Sequence, residues 1–144
     1  MKVIRRLQGI TYWVVDDPKE IRTFVNSNIR KEWESDILDQ GEDFEDGIWM
    51  SSLSGRKWQL KVVAMEDVRL NDRIMRYKNE KTKYDFGEHL KERKKELESE
   101  IERFGAVLSP LVLREEDHRL MDGYCRYHVL KERGITHVYA YIGG

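Results

Sequence analysis

One cysteine, two prolines and no long apolar run mark this sequence of 144 residues, and each shortage closes off a class of protein. Cys125 alone cannot form an internal disulfide, so a bridge-stapled scaffold is excluded. No window approaches the roughly 20 apolar residues that a membrane-spanning helix needs. The opening "MKVIRRLQGITYW" is interrupted by Gln8 and Gly9 and does not read as a signal peptide. The expectation is a soluble, cytoplasmic protein without a membrane partner. Charge of one sign is lacking too: 26 Lys and Arg meet 27 Asp and Glu, a formal charge of -1. No global positive field draws nucleic acid, so any anion site must be local. Cys125 and His128 stand at i,i+3, but two ligands without a Cys-x-x-Cys or His-rich partner predict no structural zinc.

What is present is charge interleaved with apolar residues. Charged side chains make up 37% of the chain and hydrophobic ones 40%, enough for one cored unit, and the Lys/Glu-rich balance suits the ion-pair networks of thermophile proteins. Ile10, Tyr12 and Val14 alternate with Thr11, Trp13 and Val15, which predicts a strand. Asp17, Pro18 and Glu20 then open a helix with a cap, a first-turn proline and a first-turn acid; Ile21, Val25, Ile29, Trp33 and Ile37 form its stripe and Gly41 ends it. "GIWMSSL" and "KWQLKVVAM" read as a hairpin around Ser54-Gly55-Arg56. "EDVRLNDRIMRYKNEKTKY" has no clean period and reads as a loop with room for a short helical turn. Asp85 and Glu88 resemble a capping box for a helix with Phe86, Leu90, Leu97, Ile101 and Phe104 on one face and Gly105 as its stop. Its other face, with Lys94 and Glu98 at i,i+4, reads as solvated.

The last forty residues run from strand "LVLR" through the turn "EEDH" and strand "RLM" to Asp122-Gly123, a helix to Arg133, Gly134 and the alternating strand "HVYAYI". Helix and strand mix in one core, so the expected class is α+β. The junction "DGYCR" carries the chemistry. A strand passing through glycine into a helix presents first-turn N-H groups with partial positive charge, a setting for an anion. Gly123 allows close approach of phosphate oxygens, the amides of Tyr124 and Cys125 can hold them, and Arg126 supplies a planar fork. Asp122 can cap the helix or hold a phosphate-bound Mg2+. Asp-Gly is equally ordinary turn chemistry, and spacing alone leaves the two readings level.

From about residue 59 to 144 the chain resembles the ParB/sulfiredoxin-like superfamily. The order of "FGAVLSPLVLREEDHRLMDGYCRYHVLKERGITHVYAYI" carries this, with Gly105, Pro110, Asp122, Gly123, Arg126 and Gly134 in register. The resemblance implies a mixed-sheet core with nucleotide bound at the junction. It divides the chain into residues 1–58, an N-terminal strand-helix-hairpin elaboration, and residues 59–144, a nucleotide-binding domain, together one compact unit. "DGYCR" is most similar to the "DGHHR" of small archaeal free-amino-acid kinases, which use ATP or ADP. That similarity implies Asp72 as general base for a substrate hydroxyl, with Arg73 and Arg76 as phosphate clamps; Glu66 and Asp67 are weaker alternatives.

The departures bear on function. Tyr124 stands where sulfiredoxins carry their reactive cysteine, and Cys125 stands where the kinases have histidine, so sulfinic-acid repair is not expected. ParB partition proteins, which bind CTP, use paired arginines and a following helix-turn-helix, and the kinases carry a C-terminal extension; these 144 residues carry one arginine in the loop and neither of the two segments, so sequence-specific DNA partitioning is not expected. Residues 1–58 hold all four tryptophans, Trp13, Trp33, Trp49 and Trp58, which can serve as core, as oligomer contacts or as one wall of a cleft. Two hypotheses follow. One is an ATP-, ADP- or CTP-dependent phosphotransferase or NTPase with a small-molecule acceptor and Mg2+. The other is a non-catalytic ParB-like module that binds nucleotide, nucleic acid or a protein, with "RIMRYKNEKTKY" suited to single strands.

Overall fold

A computed structural model describes residues 2–28, 55–71, 75–80 and 83–144. Two strands open the chain, β1 (Lys2–Leu7) and β2 (Ile10–Val15), paired antiparallel from Lys2↔Val15 to Leu7↔Ile10. Gln8 and Gly9 turn between them with φ of 50° and 81°, the doubly positive geometry that suits a two-residue hairpin. β1 is absent from the expectations above, because the break at Gln8-Gly9 obscures it. Helix α1 (Pro18–Asn28) follows, and the Asp17 carboxylate accepts from the N-H groups of Lys19 and Glu20 at 2.8 and 3.3 Å, as a capping acid does. Ile21 and Val25 are fully buried; the rest of the expected stripe, Ile29, Trp33 and Ile37, lies outside the described residues, as does "GIWMSSL".

β3 (Trp58–Ala64) does not depend on that hairpin partner for its place. It runs antiparallel to β8 (His137–Gly143), in register from Trp58↔Gly143 to Ala64↔His137. Trp58 is 2% exposed, and its ring lies so close to Gly143 that a Cβ there would stand 2.7 Å from it. β8 also pairs in parallel with β6 (Leu111–Arg114), and β6 pairs antiparallel with β7 (Leu120–Asp122). The sheet order is β3-β8-β6-β7, a mixed sheet that places the fold in the expected α+β class. Strands β6 and β8 are buried on both faces, which their near-continuous apolar composition reflects.

Between β3 and the long helix, Met65–Asp67 make one 3-10 turn, and β4 (Lys78–Asn79) and β5 (Tyr84–Asp85) form a small antiparallel pair. The segment read as a loop is therefore partly ordered by short pairings. Helix α2 (Phe86–Phe104) begins on the expected box, with Glu88 N-H donating to the Asp85 carboxylate at 3.2 Å, and ends at Gly105 in the left-handed region. Leu90 and Leu97 are buried, but Phe104 is 81% exposed. The last turn has passed beyond the body that the helix packs on, so periodicity alone overextends the apolar face. Lys94 crosses to Glu132 of α3 (Tyr124–Glu132), and Arg133 pairs with Glu102 at 3.7 Å, so part of the face read as solvated binds the two helices together.

The hairpin is tied to the sheet through side chains. Gln8 spans it, accepting from the N-H groups of Thr136 and His137 at 2.8 and 3.1 Å and donating to the Thr136 hydroxyl at 2.7 Å. Tyr141 accepts from Val15 N-H at 3.1 Å, and Leu108 exchanges backbone bonds with Thr11 and Trp13. One hydrophobic cluster contains Ile10, Tyr12 and Val14 of the hairpin, Ile21 and Val25 of α1, and the core strands. Each fully buried large side chain contributes about 1.5–3 kcal/mol relative to exposure.

Candidate phosphate site at the β7–α3 junction

The backbone at the junction follows from one residue. Gly123 has φ 103° and ψ 28°, and a Cβ built on it would stand 2.8 Å from both Leu111 Cδ2 and Arg126 Nη2. Two requirements coincide there, since the turn needs a positive φ and the space that a side chain would take is filled. α3 starts directly afterwards. Its opening N-H groups, at Tyr124, Cys125 and Arg126, have no acceptor within the helix by the geometry of any α-helix start.

The acid and the arginine of the motif meet each other. Arg126 Nη2 lies 3.2 Å from the Asp122 carboxylate and 3.4 Å from Pro110 O, with both charged side chains 23% exposed. Asp122 therefore does not cap the helix, as expectation allowed; its carboxylate turns to the guanidinium one helical turn on. The Arg126 Nε is buried and meets no acceptor among the described residues, so this fork makes its bonds through a single terminal nitrogen. Arg126 also acts on Tyr12: burial pushes that phenol up to about 12, with the Tyr139 backbone and the Arg126 charge pulling the other way. The hairpin thus lies within electrostatic reach of the junction.

Tyr124 turns inward. It is 6% exposed, packs edge-on against Phe86 at 5.6 Å, donates to Leu120 O at 3.2 Å and accepts from Asn71 N-H at 3.0 Å. Arg69 lies beside β7, donating to His118 O at 3.1 Å and accepting from Leu120 N-H at 2.7 Å. The chain from Arg69 to Asn71 is therefore laid along β7 and anchored on the first residue of α3. Sequence alone does not reveal this contact, because nothing in "VRLND" marks it as strand. Asp72 and Arg73, which follow directly, lie outside the described residues. Arg76 is exposed, and Glu66 and Asp67 are exposed in the 3-10 turn.

Cys125 is half-buried between helices. Burial raises its thiol, and the nearby Arg93, Arg126 and Lys94 offset that only in part. A first-turn position therefore does not by itself make it a ready thiolate. His128, one turn on, is pushed towards the neutral form by burial and by Lys94. Among the described residues no group of three or more His, Cys, Asp or Glu can hold a metal, and Asp122 is engaged by Arg126. Among the described residues, Asp122 is at most one ligand to a divalent ion brought in on phosphate oxygens.

No protein-family model matches this chain, and no curated protein matches it. Among solved structures it is similar to a pNOB8-like ParB N-domain in two determinations. One is 18% identical, covering 62% of this chain and 30% of that chain at a TM-score of 0.44. The other is 21% identical, covering 61% and 28% at 0.42. The match spans less than a third of either neighbour. Among the described residues no helix is long and apolar enough to cross a membrane.

Proposed function

We propose that this chain is a ParB-like module that binds a nucleotide through phosphate oxygens at the β7–α3 junction. The observation that carries the proposal is the Arg126 guanidinium, set beside Gly123 and the start of α3; among the described residues its buried Nε meets no acceptor and Asp122 is its ion-pair partner. The order of elements around "DGYCR" supports the family resemblance noted in the sequence. A phosphate entering here competes with Asp122 for the guanidinium, and a bidentate Arg–phosphate pair is the stronger partner when the phosphate is dianionic. Mg2+ accompanies the nucleotide.

A second reading, phosphoryl transfer with Asp72 as base and a small hydroxyl acceptor, is supported by one specific contact. The Asn71 N-H bond to the Tyr124 hydroxyl ties the residue before Asp72 to the first residue of α3. Calorimetry with ATP, ADP and CTP, each with magnesium, tests the first reading. Saturable binding that Arg126→Ala weakens about tenfold or more supports it, and no binding to any of the three overturns it. Asp72→Asn tests the second: turnover lost with nucleotide affinity kept is the expected result, and unchanged turnover removes the assignment.

A further inference from the structure

Tyr12, in the middle of β2, is 1% exposed, and its hydroxyl meets no partner of hydrogen-bond geometry among the described residues. A tyrosine that carries its O-H into a core ordinarily finds one there. Backbone pairing sets this phenol on the junction side of the molecule. Tyr12 bridges Leu108 in parallel, and two residues further on Pro110 O receives Arg126 Nη2 at 3.4 Å. Val112 is paired with both Asp122 and Tyr141, and paired residues show their side chains on one face of a sheet. Tyr139, two positions back along β8, shares that face, and the Tyr12 ring packs edge-on against Tyr139 at 5.2 Å. Tyr12 and the carboxylate that meets Arg126 thus belong to the same side of the sheet.

Two buried polar atoms without a partner, Tyr12 Oη and Arg126 Nε, therefore stand on elements that meet at residues 108–110. The charge of one is felt at the other: burial raises the phenol, and the Tyr139 backbone and the Arg126 guanidinium act against that rise. His128 Nε2 is also buried without a partner, but that ring lies near Lys94 of α2 and Glu132. A guanidinium that gives its Nη edge to phosphate still has an Nε-H to satisfy, and a hydroxyl oxygen can accept it. We propose that Tyr12 is a positioning residue of the phosphate site, its hydroxyl oxygen accepting from Arg126 Nε-H when phosphate takes the Nη edge from Asp122. The inference rests on the nucleotide reading above and adds to it that the N-terminal hairpin completes the site from behind.

The test is calorimetry of ATP, ADP and CTP, each with magnesium, on the full chain carrying Tyr12→Phe, Arg126→Ala or both, beside urea unfolding of each protein. Tyr12→Phe is expected to be as stable as the wild type or more so, because it removes a buried group that has no partner. Its nucleotide affinity falls about three- to tenfold. In the Arg126→Ala background the same change makes no further difference, since the two residues act as one unit. Wild-type affinity in Tyr12→Phe overturns the proposal, and so does an equal loss in both backgrounds, which is what a tyrosine acting only through the fold gives. Arg126→Lys keeps the charge but lacks the planar fork and its Nε-H, and it too weakens binding. Wild-type affinity there is equally fatal, and decides the matter should Tyr12→Phe fail to fold. If Arg126→Ala weakens binding and Tyr12→Phe does not, the phosphate site stands and Tyr12 has no part in it. If the wild type binds no nucleotide, both readings fall together.

Discussion

Two turns of this molecule share a plan, a polar residue followed by glycine between apolar strands or helices, and use their glycines differently. At Gln8-Gly9, Gly9 has φ 81°, and a Cβ there would meet nothing within 4 Å. At Asp122-Gly123, Gly123 has φ 103°, and a Cβ would press on Leu111 and Arg126 at 2.8 Å. The first glycine serves conformation alone. The second serves conformation and also keeps open the space that the guanidinium and the neighbouring strand occupy. The polar partners diverge as well: Gln8 reaches out to fasten the hairpin to β8, whereas Asp122 turns back to hold an arginine of its own motif.

Substitutions turn that difference into numbers. Gly123→Ala carries the largest expected effect, about 3 kcal/mol of lost stability, from the left-handed backbone together with overpacking against Leu111. Urea unfolding measures it, and a loss under 1 kcal/mol means that the junction relaxes freely and the crowding has no consequence. Gln8→Ala comes next at about 1–2 kcal/mol, because it removes one donor and two accepted bonds at once while placing alanine at a positive φ. Gly9→Ala follows at about 1 kcal/mol, a backbone cost without a clash. If Gly9→Ala and Gly123→Ala cost the same, the distinction between the two glycines collapses.

The smallest effect is expected at a third turn, which has no glycine. Residues Glu115 to Arg119 join β6 to β7, with His118 at φ 58°. Asp117 holds the turn, receiving Arg114 at 2.7 and 3.1 Å and Arg119 N-H at 3.1 Å. The Arg114 guanidinium is the main cause that pulls the Asp117 carboxyl down to about 2. A carboxylate held below its unfolded value stabilises the fold above the ordinary range near 3.8 and loses that contribution as pH falls towards 2. Asp117→Asn therefore costs less than about 1 kcal/mol at neutral pH, since the pair is partly exposed, and nearly nothing at pH 2. A pH-independent difference between the two proteins removes this role from the ion pair.

The same turns mark how far sequence carries. Capping chemistry is local, so Asp17, Asp85 and Gly105 announce their helices, and the alternation of "HVYAYI" announces β8. The strand-glycine-helix order of the junction is legible for the same reason. What Asp122 does is not, because a carboxylate near a helix start has two partners available, the backbone N-H groups or Arg126, and only three-dimensional placement decides between them. Long-range links are hidden entirely. Nothing in "RRLQGIT" says that Gln8 bonds to residues 136 and 137, and nothing near Asn71 says that it meets Tyr124. The exposed Phe104 is the converse case, a periodic position with no surface left to pack against.

The sheet order has a kinetic consequence. β8 follows every other described strand in the chain, yet it sits inside the sheet, bonded to β3 on one side and β6 on the other. Until β8 has left the ribosome, β3 and the β6–β7 pair cannot join, and both present raw edges to the surrounding protein. Contacts so distant in sequence slow folding. β3 and the β6–β7 pair therefore wait on β8, and the described sheet closes only when that strand arrives.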